Sequence, residues 1–143
     1  MINENIIREK VSLIARDLER LKSFANSSLV QSEESYIKYA ALKNMIMEII
    51  GRAIDINYHF ISEYITPEKN APQNYKEVFL MLYDIGVLPE EFAKEIAKSV
   101  GLRNAIVHEY SGLEEDALYE VMGEVIEQYA KYCKYVLHFL EKK

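Results

Sequence analysis

The chain is expected to fold as an all-α, up-and-down bundle of about five helices, a single domain over residues 1–143, and three observations predict it. Apolar residues recur three and four apart along most of the length, the spacing that lines one face of an α-helix. Glycine and proline number only 5 and 3, too few for a turn-rich β fold. No stretch shows the apolar–polar alternation of a half-buried strand. With 50% hydrophobic residues, a chain of 143 residues can bury one substantial core, and it leaves no room for two.

The first helix is predicted over about 4–25, where Ile6, Ile7, Val11, Ile14, Leu18 and Leu21 form a stripe between charged residues. Asn26-Ser27-Ser28 ends it. Ser32-Glu33-Glu34 can cap a second helix running to about 65. That helix is apolar around most of its circumference, so it is expected to be the central helix of the bundle or to supply a dimer interface as well. Glu48 and Arg52 are spaced for an ion pair on it.

Pro67 stops the second helix, and a loop runs to Gln73. A short third helix over about 74–85 carries Tyr75, Val78, Phe79 and Leu82, and Gly86 serves as its C-cap. Leu88-Pro89-Glu90-Glu91 opens a fourth, with proline in the first turn and acids at the positive end of the dipole. The fifth spans about 114–141, from Leu118 through Tyr129 and Tyr132 to Leu140.

A formal net charge of −6 disfavours broad electrostatic capture of nucleic acid, because such affinity grows with the number of phosphates neutralised. Any chemistry on RNA must use a local basic site. The single cysteine, Cys133, allows no internal disulfide and no cysteine-based zinc site, and its apolar neighbours predict a buried thiol. The N-terminus lacks an apolar signal core, and no uncharged apolar run approaches the roughly 18 residues that span a bilayer. A cytoplasmic protein without membrane contact is expected.

Unlike polar groups gather in one stretch, Arg103-Asn104-Ala105-Ile106-Val107-His108-Glu109-Tyr110. Arginine brings a permanent planar charge that fits phosphate oxygens. Histidine exchanges a proton near neutral pH. RNA carries its own nucleophile, the 2′-hydroxyl, so its cleavage requires proton transfer and stabilisation of charge on phosphorus oxygens. Arg103 and His108 can supply both, with no metal and no cofactor. On an ideal helix, however, residues five apart point about 140° away from one another. Either the helix ends near His108, as Ser111-Gly112 would permit, or a two-fold axis brings Arg103 and His108 from two subunits into one cleft.

The Arg-Asn-x3-His-x-Tyr pattern resembles the signature of the HEPN superfamily, and specifically of HepT-type toxins. The helix order, the apolar second helix with Ala53-Ile54-Asp55-Ile56, and Ile85-Gly86-Val87-Leu88-Pro89 before the motif extend the resemblance over most of the chain. It implies a homodimeric, metal-independent endoribonuclease, the toxin of a toxin–antitoxin pair, with its site in a cleft between protomers. Arg103 would then bind the scissile phosphate, His108 act as general acid or base, and Asn104 orient one of them or contact RNA. Tyr110 would match the tyrosine that a minimal nucleotidyltransferase (MNT) antitoxin modifies with AMP.

Plainer readings exist for each feature. Arg103 can pair with Glu109 on a helix surface, and Tyr110 can be core. Asp55, His59 and Glu63 are more simply pairing and capping groups than metal ligands. Lys94 and Lys98 can be a solvated face, and Tyr129, Tyr132, Tyr135 and Phe139 a packed stripe. His138 is read as packed or interfacial. The alternative functions are a non-catalytic helical adaptor and a nucleotide-binding subunit of a nucleotidyltransferase complex.

Overall fold

The computed structural model describes the backbone of residues 2–26, 33–65, 71–107 and 115–142, and the side chains of residues 2–23, 37–65, 71–106 and 120–142. Within these residues every regular element is helical: α1 (Glu4–Asn26), α2 (Glu33–Tyr64), α3 (Tyr75–Ile85), α4 (Glu90–Ala97), α5 (Ser99–Val107) and α6 (Glu115–Glu141). The fold is all-α, as the periodicity predicts.

α2 is the centre. It packs against α1, α3, α5 and α6, while α1 also lies on α6 and α3 on α4. Its broad apolar circumference is therefore covered mostly within one chain: Ile46, Ile49, Ile50, Ala53, Ile56 and Phe60 are all fully buried. Near its start, Ile37 remains 69% exposed. Of the two roles open to this helix, the central one accounts for most of the pattern. Each fully buried Ile or Phe contributes about 1.5–3 kcal/mol relative to exposure.

A buried carboxylate ties α1 to α2. Asp17 is 1% exposed and is held by Arg52 of α2 and, on its own helix, by Arg16 at 3.6 Å and Arg20 at 3.5 Å. Arg52 also reaches Glu48 at 3.5 Å, the pair its spacing predicts. A charge removed from water needs such partners.

α3 begins and ends on identifiable chemistry. The Asn74 side chain accepts from the Glu77 N–H at 3.0 Å, and the Glu77 carboxylate accepts from the Gln73 N–H at 2.7 Å. At the other end Gly86 adopts φ 97, left-handed backbone that glycine enters without a Cβ clash. The Val87 N–H then donates to the Leu82 carbonyl at 2.8 Å and the Gly86 N–H to Tyr83 at 3.0 Å, which closes a Schellman cap.

The fourth helix of the sequence reading is realised as two segments broken at Lys98. There the chain tightens: the Lys98 N–H donates to Glu95 at 3.2 Å and the Gly101 N–H to Lys98 at 3.0 Å. Ser99 donates from its hydroxyl to the Ile96 carbonyl at 2.6 Å, a back-bond that bends helices. Its oxygen also lies 2.6 Å from the Tyr129 hydroxyl, so the bend is anchored on α6.

Tyr129 and Tyr132 are fully buried and Cys133 is 7% exposed, so this stripe is core, as the plainer reading has it. The Tyr132 hydroxyl shares Asn57 Oδ1 at 2.6 Å and the Ala53 carbonyl at 3.1 Å. Burial pushes both phenols well above their usual range and the Cys133 thiol up to about 12. Above about pH 9 the unfolded chain ionises these groups while the folded chain keeps them neutral. The unfolded state then binds fewer protons, so stability falls as pH rises. Denaturant melts from pH 8 to pH 11 are expected to show a progressive fall, and Cys133→Ala to make it shallower. A slope unchanged by Cys133→Ala would remove the thiol from this account.

Candidate active site

Arg103 and Asn104 lie on α5, which rests on α2, and both are half-buried. Among the described residues Arg103 is held by packing, with no ion pair to a carboxylate. Its guanidinium carbon sits 5.3 Å from the ring centroid of Tyr75, the first residue of α3, within cation–π range. A Cβ placed on Gly51 of α2 would lie 3.9 Å from Arg103 Nε. The arginine thus runs past a glycine gap in the central helix and ends against an aromatic ring.

Of the five arginines in the chain, Arg8, Arg16, Arg20 and Arg52 each meet a carboxylate. Arg103 meets none among the described residues, and its Nε is buried without a hydrogen-bond partner. An orphaned donor on a permanently charged group is costly, and native structures rarely leave one without a reason.

His108 and Tyr110 lie outside the described residues, just beyond Val107, and so does Glu109, the acid named as a surface partner for Arg103. The structure brings Arg103 together with Tyr75 and Gly51. Those two neighbours lie far away in sequence, and only the isolated glycine within an apolar helix signals a packing role.

The remaining candidates resolve more simply. Lys94 pairs with Glu90 at 3.6 Å and Glu91 at 3.8 Å, and Lys98 pairs with Glu95 at 3.0 Å, so both belong to a solvated charged face. Asp55 pairs with Lys10 at 3.7 Å. Among the described residues no group of three or more His, Cys, Asp or Glu is placed to hold a metal ion. His138 is exposed on α6. No helix among the described residues is long and apolar enough to cross a membrane.

The glycine gap makes a prediction. Gly51→Ala puts a methyl group at ordinary contact distance from Arg103, so it is expected to stabilise α2 by about 0.5–1 kcal/mol and leave Arg103 in place. Gly51→Leu fills the gap and is expected to displace Arg103 from Tyr75, lowering any activity that depends on it. Thermal melts with activity assays separate the two, and equal activity in both variants would show that the gap does not position Arg103.

Comparison with known proteins gives a consistent result. A family model described as Ribonuclease HepT-like matches residues 14–136. The chain is 33% identical over 135 residues to a tRNA nuclease HepT of Aphanizomenon flos-aquae, covering 94% of this chain and 90% of that protein. It is 22% identical over 128 residues to an mRNA nuclease HepT of Shewanella oneidensis, covering 90% and 93%. In fold it resembles the tri-AMPylated Shewanella oneidensis HEPN toxin, solved in complex with MNT antitoxin, at a TM-score of 0.80 and 21% identity, covering 94% of this chain and 98% of that one. The cytosolic protein YutE of Bacillus subtilis, of unknown function, superimposes at 0.78 with 20% identity, over 99% and 92% of the two chains. The extent of the family match, which takes in both the central helix and the Arg-x4-His motif, establishes that the chain belongs to the HepT-like ribonuclease family.

Proposed function

We propose that this protein is the toxin of a toxin–antitoxin pair, a cytoplasmic, metal-independent endoribonuclease that acts as a homodimer with its site composed across the two-fold axis. The observation that carries this reading is Arg103: it is the one arginine without a carboxylate among the described residues, with Nε buried and unsatisfied. The relatives' names supply the substrate class, since one is a tRNA nuclease and the other an mRNA nuclease.

The chemistry needs no group beyond the chain and its substrate. The 2′-oxygen attacks the adjacent phosphorus, a new P–O2′ bond forms, and the P–O5′ bond breaks. His108 takes the proton from the 2′-hydroxyl or delivers one to the departing 5′-oxygen. Arg103 holds the non-bridging oxygens as their charge builds, which stabilises the transition state more than the ground state. Asn104 follows Arg103 on α5 and orients one of the pair or contacts RNA. The product carries a 2′,3′-cyclic phosphate.

Control of the activity falls to Tyr110. An MNT-type antitoxin transfers AMP from ATP to its hydroxyl: the phenol oxygen bonds the α-phosphorus, the α–β anhydride breaks, and pyrophosphate leaves with the phenol proton lost to solvent. The bulky anionic adduct fills the cleft and repels the RNA phosphate. The solved HEPN toxin that shares this fold is itself AMPylated and bound to an MNT antitoxin, which supports the reading. The test is incubation of the purified protein with a tRNA pool and with an mRNA transcript, beside Arg103→Ala and His108→Ala. Fragments from the wild type alone support the proposal, and identical behaviour of all three proteins refutes it.

A further inference from the structure

We propose that the pocket between Tyr58 and Tyr75 is a nucleobase subsite, which receives an unpaired base next to the phosphate held by Arg103. The proposal rests on the ribonuclease reading and adds to it the kind of RNA the site accepts.

Tyr75 lies against the Arg103 guanidinium, 5.3 Å from ring centroid to the guanidinium carbon, and it also lines a pocket of about 280 Å³ with Tyr58, Pro72, Gln73 and Asn74. A phosphate on Arg103 and a base in this pocket would therefore share one aromatic wall. The position of Tyr58 agrees with this by a separate route. It lies seven residues beyond Gly51 on α2, two helical turns or roughly 10 Å along the same face. Gly51 is the residue that Arg103 passes.

Singly exposed tyrosines need no explanation. Here two of them, 38% and 42% exposed, wall one pocket beside Arg103, which meets no carboxylate among the described residues. Among the described residues the lining contains no carboxylate. The nearby Glu77 is occupied at the cap of α3 with the Gln73 N–H. The two other cavities described, one between α4, α5 and α6 and one between α4 and α6, are each lined by Glu95 and Glu124 with a single lysine, so a polyanion meets a net acidic lining there and no acid among the described lining here. Aromatic faces stack any base, and the Gln73 amide offers both a donor and an acceptor to a base edge. A pocket of about 280 Å³ is of a size to take a single base, which must be unpaired to enter and stack there. The substrate is thus RNA with an unpaired nucleotide at the cut, as in a loop or a single-stranded end.

The test measures binding of a short fluorescent single-stranded oligoribonucleotide by the His108→Ala protein, in which cleavage is silenced. Tyr58→Ala is expected to weaken binding by about 5- to 100-fold, with Tyr58→Phe retaining it, because stacking needs the ring and not the hydroxyl. Replacing nucleotides one at a time by abasic residues should reproduce the loss at one position, and at that position the two losses should not add. The chain contains no tryptophan, so Tyr58→Trp introduces a single indole, excited selectively beyond the tyrosine absorption, whose emission should be quenched as the base stacks, read with an unlabelled oligoribonucleotide. If Arg103→Ala weakens binding while Tyr58→Ala, the abasic series and the indole emission of Tyr58→Trp show nothing, the subsite is wrong and the ribonuclease reading stands. If no RNA binds and Arg103→Ala changes nothing, both fail.

Discussion

His108→Ala is expected to slow RNA cleavage by roughly a hundred- to ten-thousand-fold, the range that a positioned proton-transfer group supplies. Arg103→Ala is expected to lose a comparable factor, of order a hundred- to a thousand-fold, as loss of one preformed stabiliser of oxyanion charge does. The two should differ in kind. Arg103→Lys keeps the charge but not the planar fork, and is expected to remain poor, since a bidentate grip on phosphate needs the guanidinium. His108→Ala should instead flatten the pH dependence near neutrality, because the titrating group is gone. The double variant should be little worse than either single one, as groups acting in one step are not additive. Single-turnover cleavage across pH checks all three statements. Rates within a few-fold of wild type in the single variants would contradict them.

The second large effect concerns Tyr110. Incubation with an MNT-type nucleotidyltransferase and ATP is expected, on the proposed function, to add one or more AMP masses to the peptide containing Tyr110 and to reduce cleavage to background. Tyr110→Phe should remain unmodified and keep cutting RNA with the partner present, since the phenol oxygen is the acceptor and the ring is retained. Each AMP adds an anion to a protein already at −6, so the adduct acts by charge as well as by bulk. An intact mass for the wild type, or an equal mass gain in Tyr110→Phe, would place the control elsewhere.

The helices are legible in the sequence because their signal is local. The first is predicted over about 4–25 and runs over Glu4–Asn26; the third is predicted over about 74–85 and runs over Tyr75–Ile85. A 3.6-residue period is written in neighbouring side chains, and Gly86 announces its cap through a backbone conformation other residues avoid. The break at Lys98 is not legible, because it depends on Ser99 finding both the Ile96 carbonyl and the distant Tyr129 hydroxyl.

The site divides in the same way. Arg103 stands out by residue type and by its place in the motif. What makes it unusual in the fold is tertiary: a ring 28 positions earlier in the chain and a glycine 52 positions earlier, neither within reach of a local pattern. Tyr58 and Tyr75 carry no signal of their own among eleven tyrosines, since aromatic residues at helical spacing are mostly core. Tyr129 and Tyr132 show that expectation met, and Tyr58 and Tyr75 depart from it.

The central claim, that Arg103 and His108 act on one phosphodiester with the 2′-hydroxyl as nucleophile and no metal, is tested most directly by end-group analysis of RNA cut in excess chelator. The account predicts an undiminished rate, fragments ending in 2′,3′-cyclic phosphate, and no cleavage at a 2′-deoxy nucleotide. Cleavage that stops on chelation and returns with added magnesium, or fragments ending in a free 3′-hydroxyl, would contradict it.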